Sequence, residues 1–352
     1  MNIKNLQKKL EKNQAFLISS PENRRYLTDF PSSDGYLLIT ADEAVFFIDS
    51  RYIEAAQNKI TECSEIVLLK SLSEQLKVYA EKLGIETVFT EEEKLSVSEF
   101  NRFCKILPCK CVADKADEAI NELRRAKNCE EKEKILAAQS IAEKAFDHAL
   151  GFIREGVTER EVALTLDFFM LRNGAEAISF ETIAVSGKNS SMPHGVPSDK
   201  KIEKGDFLTL DFGAVVDGYH SDMTRTIAIG EVSSKQAEIY ETVLKAQLAS
   251  LETLRAGVSC KDADAAARDI IVSAGYGEFF GHGTGHGVGI EIHEQPRLSP
   301  KSSQTLIAGD VVTVEPGIYL PGEFGVRIED MAFITENGFE NLTKSPKSLI
   351  II

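Results

Sequence analysis

The sequence predicts an α+β chain of two domains, the second of them built from two copies of one pattern. Three observations predict this. The chain has 352 residues, more than a single hydrophobic core usually organises. Helix and strand signals alternate over the first hundred or so residues. Beyond them, one order of helix, His-x-x-Pro, strand, acid, strand, acid occurs twice.

The elements follow in chain order. "AFLIS" and "GYLLITADEAVFFID" predict buried strands, and "DSRYIEAAQ" opens a helix with Asp49 or Ser50 as its cap. "IVLL" and "ETVFT" predict further strands, which completes an α/β unit with its own core. Ala116 to Leu150 contains no Gly or Pro and is rich in Ala, Glu and Lys, so long helices follow. The boundary is placed near Asp117, giving domains 1–117 and 118–352.

The second domain repeats itself. "GDFLTLDFG" (Gly205 to Gly213) aligns with "GDVVTVEPG" (Gly309 to Gly317), setting Asp211 opposite Glu315. Asp222 of "SDMTRTIAI" falls roughly opposite Glu329 of "RIEDMAFI". Upstream, "GVTEREVALTLDFFMLRNGAE" matches "GVSCKDADAAARDIIVSAGYGE". Each copy opens on a capping-box pattern, Thr158 with Glu161 and Ser259 with Asp262, and ends at a glycine suited to a helix C-terminus, Gly174 and Gly275. His194 with Pro197 and His293 with Pro296 supply the two His-x-x-Pro strings. Such a repeat, at a period of about one hundred residues, means two similar halves about a pseudo-two-fold axis, with matching strands at the centre.

Composition excludes several classes. A net charge of -15 argues against a nucleic-acid partner, because phosphate contacts want a basic face. No apolar run approaches the ~20 residues that span a bilayer. "MNIKNLQKKLEKNQ" is charged and amphipathic, unlike a signal peptide. The six cysteines have neither disulfide-framework nor zinc-finger spacing, and "CKC" is a poor chelate, so reduced thiols and a cytoplasmic location are expected.

The matched acids carry the chemistry. Four carboxylates gathered in low dielectric repel one another and desolvate at high cost. Either most face solvent or cations neutralise them. "DFLTLDFGAVV" and "DVVTVEPGIYL" are too apolar for exposed strands, which favours cations. The stretch "HGTGHGVGIEIHE" holds three of the six histidines, and His286 between two glycines can approach a metal without crowding. Asp211, Asp222, His286, Glu315 and Glu329 form a donor set for two divalent ions. Oxygen-rich sites with one imidazole favour Mn²⁺, with Co²⁺, Fe²⁺ or Zn²⁺ as alternatives. Ions ~3.5–4 Å apart can share one water and lower its pKa toward neutrality.

"DFGAVVDGYHSDMTRT", "HGTGHGVGIEIHE", "VEPGIY" and "VRIED" resemble the M24 pita-bread metallopeptidases, and within them the Xaa-Pro peptidases of prolidase and aminopeptidase P type. The likeness extends to a creatinase-like N-terminal domain. The resemblance implies hydrolysis of the Xaa-Pro bond at the N-terminus of dipeptides or short peptides by a water or hydroxide bridging two metals. It implies the same five ligands, with Asp211 or Asp222 and Glu329 bridging. It places His194 and His293 beside the scissile carbonyl and His282 on the proline side of the cleft. Glu315 would take the water proton, and Arg327 would hold a carboxylate or the polarised carbonyl. Thr224 would hydrogen-bond a ligating carboxylate. Arg297 would read a substrate carboxylate or form a plain salt bridge, while His220 and His148 are expected to be structural. The family also implies a homodimer. Competing expectations are a methionine aminopeptidase-like enzyme, metal-free creatinase-type hydrolysis, and a non-catalytic pita-bread protein that binds a peptide or partner.

Overall fold

A computed structural model describes residues 2–352. The chain divides into two compact units, Met1–Arg124 and Arg125–Ile352. No helix among the described residues is long and apolar enough to cross a membrane.

The first unit is a six-stranded mixed sheet. Its spatial order is Glu65–Leu68, Ala44–Ile48, Tyr36–Thr40, Gln14–Ile18, Thr87–Thr90 and Lys110–Ala113. The three central strands pair antiparallel, and the outer pairings are parallel. "GYLLITADEAVFFID" is therefore a hairpin, turned at Ala41–Glu43, with every residue of Ala44–Ile48 buried. One expectation fails here. The helix is Ile53–Lys59 and its N-cap is Tyr52, not Asp49 or Ser50. The Asp49 carboxylate accepts the Arg51 N–H (2.8 Å) and pairs with its guanidinium, so it closes a turn ahead of the helix instead. Asp117 lies inside the helix Ala116–Arg125, where its carboxylate accepts the backbone N–H groups of Glu92 and Glu93.

The second unit opens with the long helix Cys129–Leu150, capped by an Asn128–Glu131 capping box. Ala138, Ala142, Ala145 and Ala149 line its buried stripe and admit close packing under the strands. The duplication then shows in the backbone. Gly156 N–H donates to Ile202 O, and Gly257 N–H to Leu306 O. Ile202 N–H returns to Val157 O, and Leu306 N–H to Val258 O. Gly205 N–H reaches Ile229 O, and Gly309 N–H reaches Ile334 O. Even the Gly-Asp turns agree: Asp206 and Asp310 each accept a backbone N–H three residues upstream, and each pairs with a cation, Lys200 and Arg125.

The helices Glu159–Arg172 and Cys260–Ser273 occupy matching places. Thr158 and Glu161 form the expected capping box, whereas Ser259 caps by accepting from Lys261 N–H, without a box closed by Asp262. Gly174 (φ 103°) and Gly275 (φ 88°) follow the C-caps in left-handed conformation. Each half then lays two strands side by side: Phe207–Phe212 against Met223–Ala228, and Val311–Val314 against Asp330–Ile334.

Register corrects one detail. Thr209 stands across from Thr226 and Thr313 across from Met331, so Glu329 corresponds to Thr224, with Asp222 two residues before it. The period-two pleat keeps Asp222 on the same face, so the acid still reaches the centre.

Candidate metal centre and its cleft

His286 sits in the short strand Gly285–Gly287, between the strands Glu294–Leu298 and Val311–Val314 of the five-stranded sheet of the second half. Its flanking glycines serve the backbone rather than a ligand. A Cβ on Gly285 would lie 1.9 Å from Thr313 O, and one on Gly287 2.2 Å from Gln295 O. The imidazole is oriented from both ends. Nδ1–H donates to Gly287 O (3.0 Å), which leaves the Nε2 lone pair bare. Nε2 faces Asp222 Oδ2 and Glu315 Oε1, each at 3.5 Å. One donor atom each from Asp222, His286 and Glu329 lie within 4.8 Å of one another, and all three residues are buried.

The remaining acids close around this group. Glu315 follows the strand Val311–Val314, and the Thr313 hydroxyl links it to His286 by accepting His286 N–H (3.1 Å) and donating to Glu315 Oε1 (3.3 Å). Thr224 donates to Glu329 Oε2 at 2.6 Å, as the sequence suggests. Asp211 Oδ2 pairs with Arg327 at 2.6 Å, while its Oδ1 is buried without a hydrogen-bond partner among the described residues. Arg327 is thus no surface charge: it is buried, with Tyr319 and Thr224 as further acceptors.

Electrostatics state what the centre lacks. Burial, then repulsion by Glu329, Asp211 and Glu315, raises the Asp222 carboxyl well above its ordinary value. Burial first and the neighbouring acids second do the same to Glu329, and burial lifts Glu315 to about 8. Burial also pushes His286 down to about 3, so it is neutral and supplies no compensating charge. An orphaned carboxylate oxygen, a bare imidazole lone pair and three carboxyls destabilised by mutual repulsion fit divalent cations.

The group lies in a cleft of ≈ 940 Å³ lined by ten of the residues singled out in the sequence: Asp211, Asp222, His286, Glu315 and Glu329 with His194, His282, His293, Arg297 and Arg327. His293 and His194 are exposed to it. The His293 ring meets His286 edge-on, centroids 4.4 Å apart. His282 lies deeper: its Nδ1–H donates to Gly283 O and its Nε2 accepts the Tyr319 hydroxyl at 2.9 Å. Burial pushes His282 down to about 4 and keeps it neutral. Arg297 stands across the strand pair from His286, and no ion pair engages its guanidinium among the described residues. His220 bonds to Ser179 and His148 stacks on Phe169, both outside the cleft lining.

Tyr319 escapes sequence reasoning, because "GIYL" looks like any buried strand. Its hydroxyl joins Arg327 to His282 and so ties the metal side of the cleft to its far wall. The buried acids that hold the cleft loops escape it too. Glu159 accepts hydrogen bonds from Ser186, Asn189 and Ser198, bracketing the loop of His194. Asp264 grips Thr284 and Arg268, and Arg268 donates to His282 O.

Comparison with known proteins gives this geometry a lineage. A relative from Pyrococcus furiosus described as a Xaa-Pro dipeptidase is 42% identical over 342 residues, 95% of this chain and 94% of that one. A solved structure of a Xaa-Pro dipeptidase from Bacillus anthracis superposes with a TM-score of 0.96 at 43% identity, covering 100% and 99% of the two chains. That of an X-Pro aminopeptidase from Thermotoga maritima gives 0.91 at 38%, covering 98% and 99%. Residues 2–126 match the creatinase/prolidase N-terminal domain, and residues 133–336 match metallopeptidase family M24, whose members use divalent metals. The two halves with their central acids are a pita-bread domain behind a creatinase-type domain, and the chain belongs to metallopeptidase family M24.

Proposed function

We propose that this chain is a Xaa-Pro exopeptidase that releases the first residue of dipeptides or short peptides with proline in second place. The observation that carries the reading is the convergence of Asp222, Glu315 and Glu329 on the bare His286 Nε2, beside the orphaned Asp211 Oδ1. Those five side chains are the proposed holders of two divalent ions, with Mn²⁺ first among the candidates for an oxygen-rich set with one imidazole. Such ions supply charge to polarise the scissile carbonyl and to acidify the attacking water.

The residues around them do the rest. Glu315 is placed to take the proton from that water at its carboxylate. His293 and His194, exposed to the same cleft, are placed to donate to the oxygen that gains charge as the carbonyl becomes tetrahedral. Arg327 steadies Asp211 and holds Tyr319, which in turn fixes His282. A bond to proline nitrogen has no N–H, so the site cannot require that donor and must offer a shaped wall instead. Neutral His282, tilted against Tyr319 and edge-on to Phe280, forms it. Arg297 is positioned to meet the free carboxylate of a dipeptide, which favours the shorter substrates.

The six cysteines are all unpaired, consistent with a reducing, cytoplasmic setting. Phe168 and Leu171 expose apolar surface on the helix Glu159–Arg172, suited to the expected homodimer, while Leu164 on the same helix lines the cleft. The deciding assay compares Ala-Pro, Ala-Ala, Met-Ala and Ala-Pro-Ala with Mn²⁺ added and with chelator. Turnover of Ala-Pro well above Ala-Ala, lost on chelation, is expected. Equal cleavage of Ala-Ala and Ala-Pro would refute the proline assignment, and no metal in a folded, purified protein would refute the centre.

A further inference from the structure

We propose that Lys127 is a positioning residue for His293, acting through Glu294. The inference rests on the role of His293 given above and extends it to a residue that does not line the cleft.

His293 has little of its own to hold it. The strands Gly285–Gly287 and Glu294–Leu298 slip register between His286 and Gly287, so that Gly287 pairs with Glu294. The slip bulges Gln295 and Pro296; residues 288–293 are the connection between the two strands, and His293 is its exposed last member. Glu294 is the first residue back in the ladder, and its carboxylate organises the loop from inside. Oε1 accepts the Glu291 N–H at 3.1 Å. The carboxylate also fills the space beside Gly289, where a Cβ would meet it at 2.6 Å. Loop and carboxylate form one packed unit, and the ring of His293 leaves from its edge.

That carboxylate is 5% exposed, and a buried anion without a cation is strongly unfavourable. Lys127 Nζ donates to its Oε2 at 2.9 Å, with its own side chain 2% exposed. Lys127 comes from far away in sequence, in the turn between the helices Ala116–Arg125 and Cys129–Leu150. It is anchored there: Lys127 N–H donates to Gly309 O, and Arg125 beside it pairs with Asp310. The ammonium thus pins the loop of His293 to the start of the strand Val311–Val314, which leads to Glu315. Two other cleft histidines are held differently. Glu159 brackets the His194 loop with hydroxyl, amide and backbone donors, and Arg268 grips His282 from its own helix.

The test uses the whole metal-loaded protein and Ala-Pro. kcat, KM, metal content and hydrogen exchange are measured for wild type, Lys127→Met, His293→Ala and the double variant, with Lys127→Arg as the conservative rescue. Lys127→Met should lower kcat about 10- to 100-fold with KM and metal content little changed, and Lys127→Arg should recover most of it. Exchange should quicken across residues 288–293 and not across residues 187–198. In the His293→Ala background, Lys127→Met should cost nothing further, because both changes remove one contribution. An equal loss in both backgrounds overturns the proposal, as does an unchanged kcat in Lys127→Met beside a depressed one in His293→Ala. If His293→Ala itself keeps wild-type kcat, the role given to His293 falls; exchange across 288–293 then decides the tether, and unchanged exchange overturns it. Should Lys127→Met fail to fold, Lys127→Gln with Glu294→Gln removes both buried charges together. A folded double variant with low kcat supports the tether, and one with normal kcat overturns it.

Discussion

The two halves of the catalytic unit share a backbone and differ in chemistry. Their turn hydrogen bonds coincide, from Gly156 and Gly257 through Asp206 and Asp310. Their centres do not. The second half alone supplies an imidazole, His286, together with the acid whose proton affinity burial lifts to about 8. The first half supplies Asp211, already engaged by Arg327, and places Thr224 where the second half places Glu329. Duplication kept the scaffold and let the active face diverge, so equivalent positions no longer have equivalent roles.

The sharpest break is Glu315→Gln against its counterpart Asp211→Asn. Glu315 has neighbours in His286 and Thr313 but, among the described residues, no Lys or Arg paired to it. Its amide should fold normally and lose at least about 10³-fold in kcat, ~4 kcal/mol of barrier, through loss of ligand charge and proton acceptor. Asp211→Asn should lose activity and stability together, because it leaves Arg327 buried without its 2.6 Å partner. Near-wild-type turnover by Glu315→Gln with Mn²⁺ added would remove Glu315 from the mechanism. Equal melting temperatures for both variants would erase the contrast.

The loop clamps rank next. Glu159 is fully buried and accepts six hydrogen bonds from three residues of the His194 loop and its flanks, so Glu159→Gln turns an amide N–H₂ onto donors. A loss of about 2–3 kcal/mol follows. Asp264→Asn should lose less, because the freed Arg268 side chain is 22% exposed and can reach water. Thermal unfolding orders the pair; Asp264→Asn as the more damaging change would contradict it. At the far wall, His282→Ala should cost about 10- to 100-fold in kcat/KM for Ala-Pro, ~1.4–2.7 kcal/mol, and leave metal content alone. Loss of metal without loss of proline preference would move His282 from the wall to the centre.

Sequence reasoning finds the parts of this site that chemistry makes conspicuous. Acids at the ends of apolar strands and a histidine among glycines violate ordinary burial, so they stand out without a structure. The glycines themselves are a different lesson. They are conspicuous beside His286, but the Thr313 and Gln295 carbonyls require them. What stays hidden is set by pairing across long separations. Asp222 and Glu329 look equivalent until register shows Thr224 in the matching place. That register depends on how the chain turns between paired strands, through Ala214–Val216 and Tyr219–His220 in one half and Gly317–Leu320 and Phe324–Arg327 in the other. Glu159 and Lys127 look like solvated charges at helix ends, and only the fold supplies their buried partners. In the first unit, Asp49 shows the same limit, since an Asp before a helical stretch serves a turn as readily as a cap.

The smallest effect expected is a reversal of sign with pH, and it separates the halves' shared acids from everything else that titrates. In the metal-free protein, Asp222, Glu315 and Glu329 bind protons more tightly than in the unfolded chain, whose carboxyls titrate near 3.8 and 4.5. Their contribution is therefore fully present below about 4.5 and is lost as pH rises toward about 8, where Glu315 ionises. His286 and His282 work the other way, since their folded values lie near 3 and 4 against 6.5 unfolded. Their contribution is lost as pH falls from 6.5, which leaves the range from 6.5 to 8 to the acids. Bound cations invert those acids by favouring the ionised forms, whose contribution is then present above the unfolded values and lost only on acidification. Chelated protein should melt a few degrees lower at pH 8 than at pH 6.5, while loaded protein stays level or rises. Taking the difference between the two profiles cancels every group that the metal does not touch. Parallel profiles would mean that the acids gathered from the two halves are not what the metal neutralises.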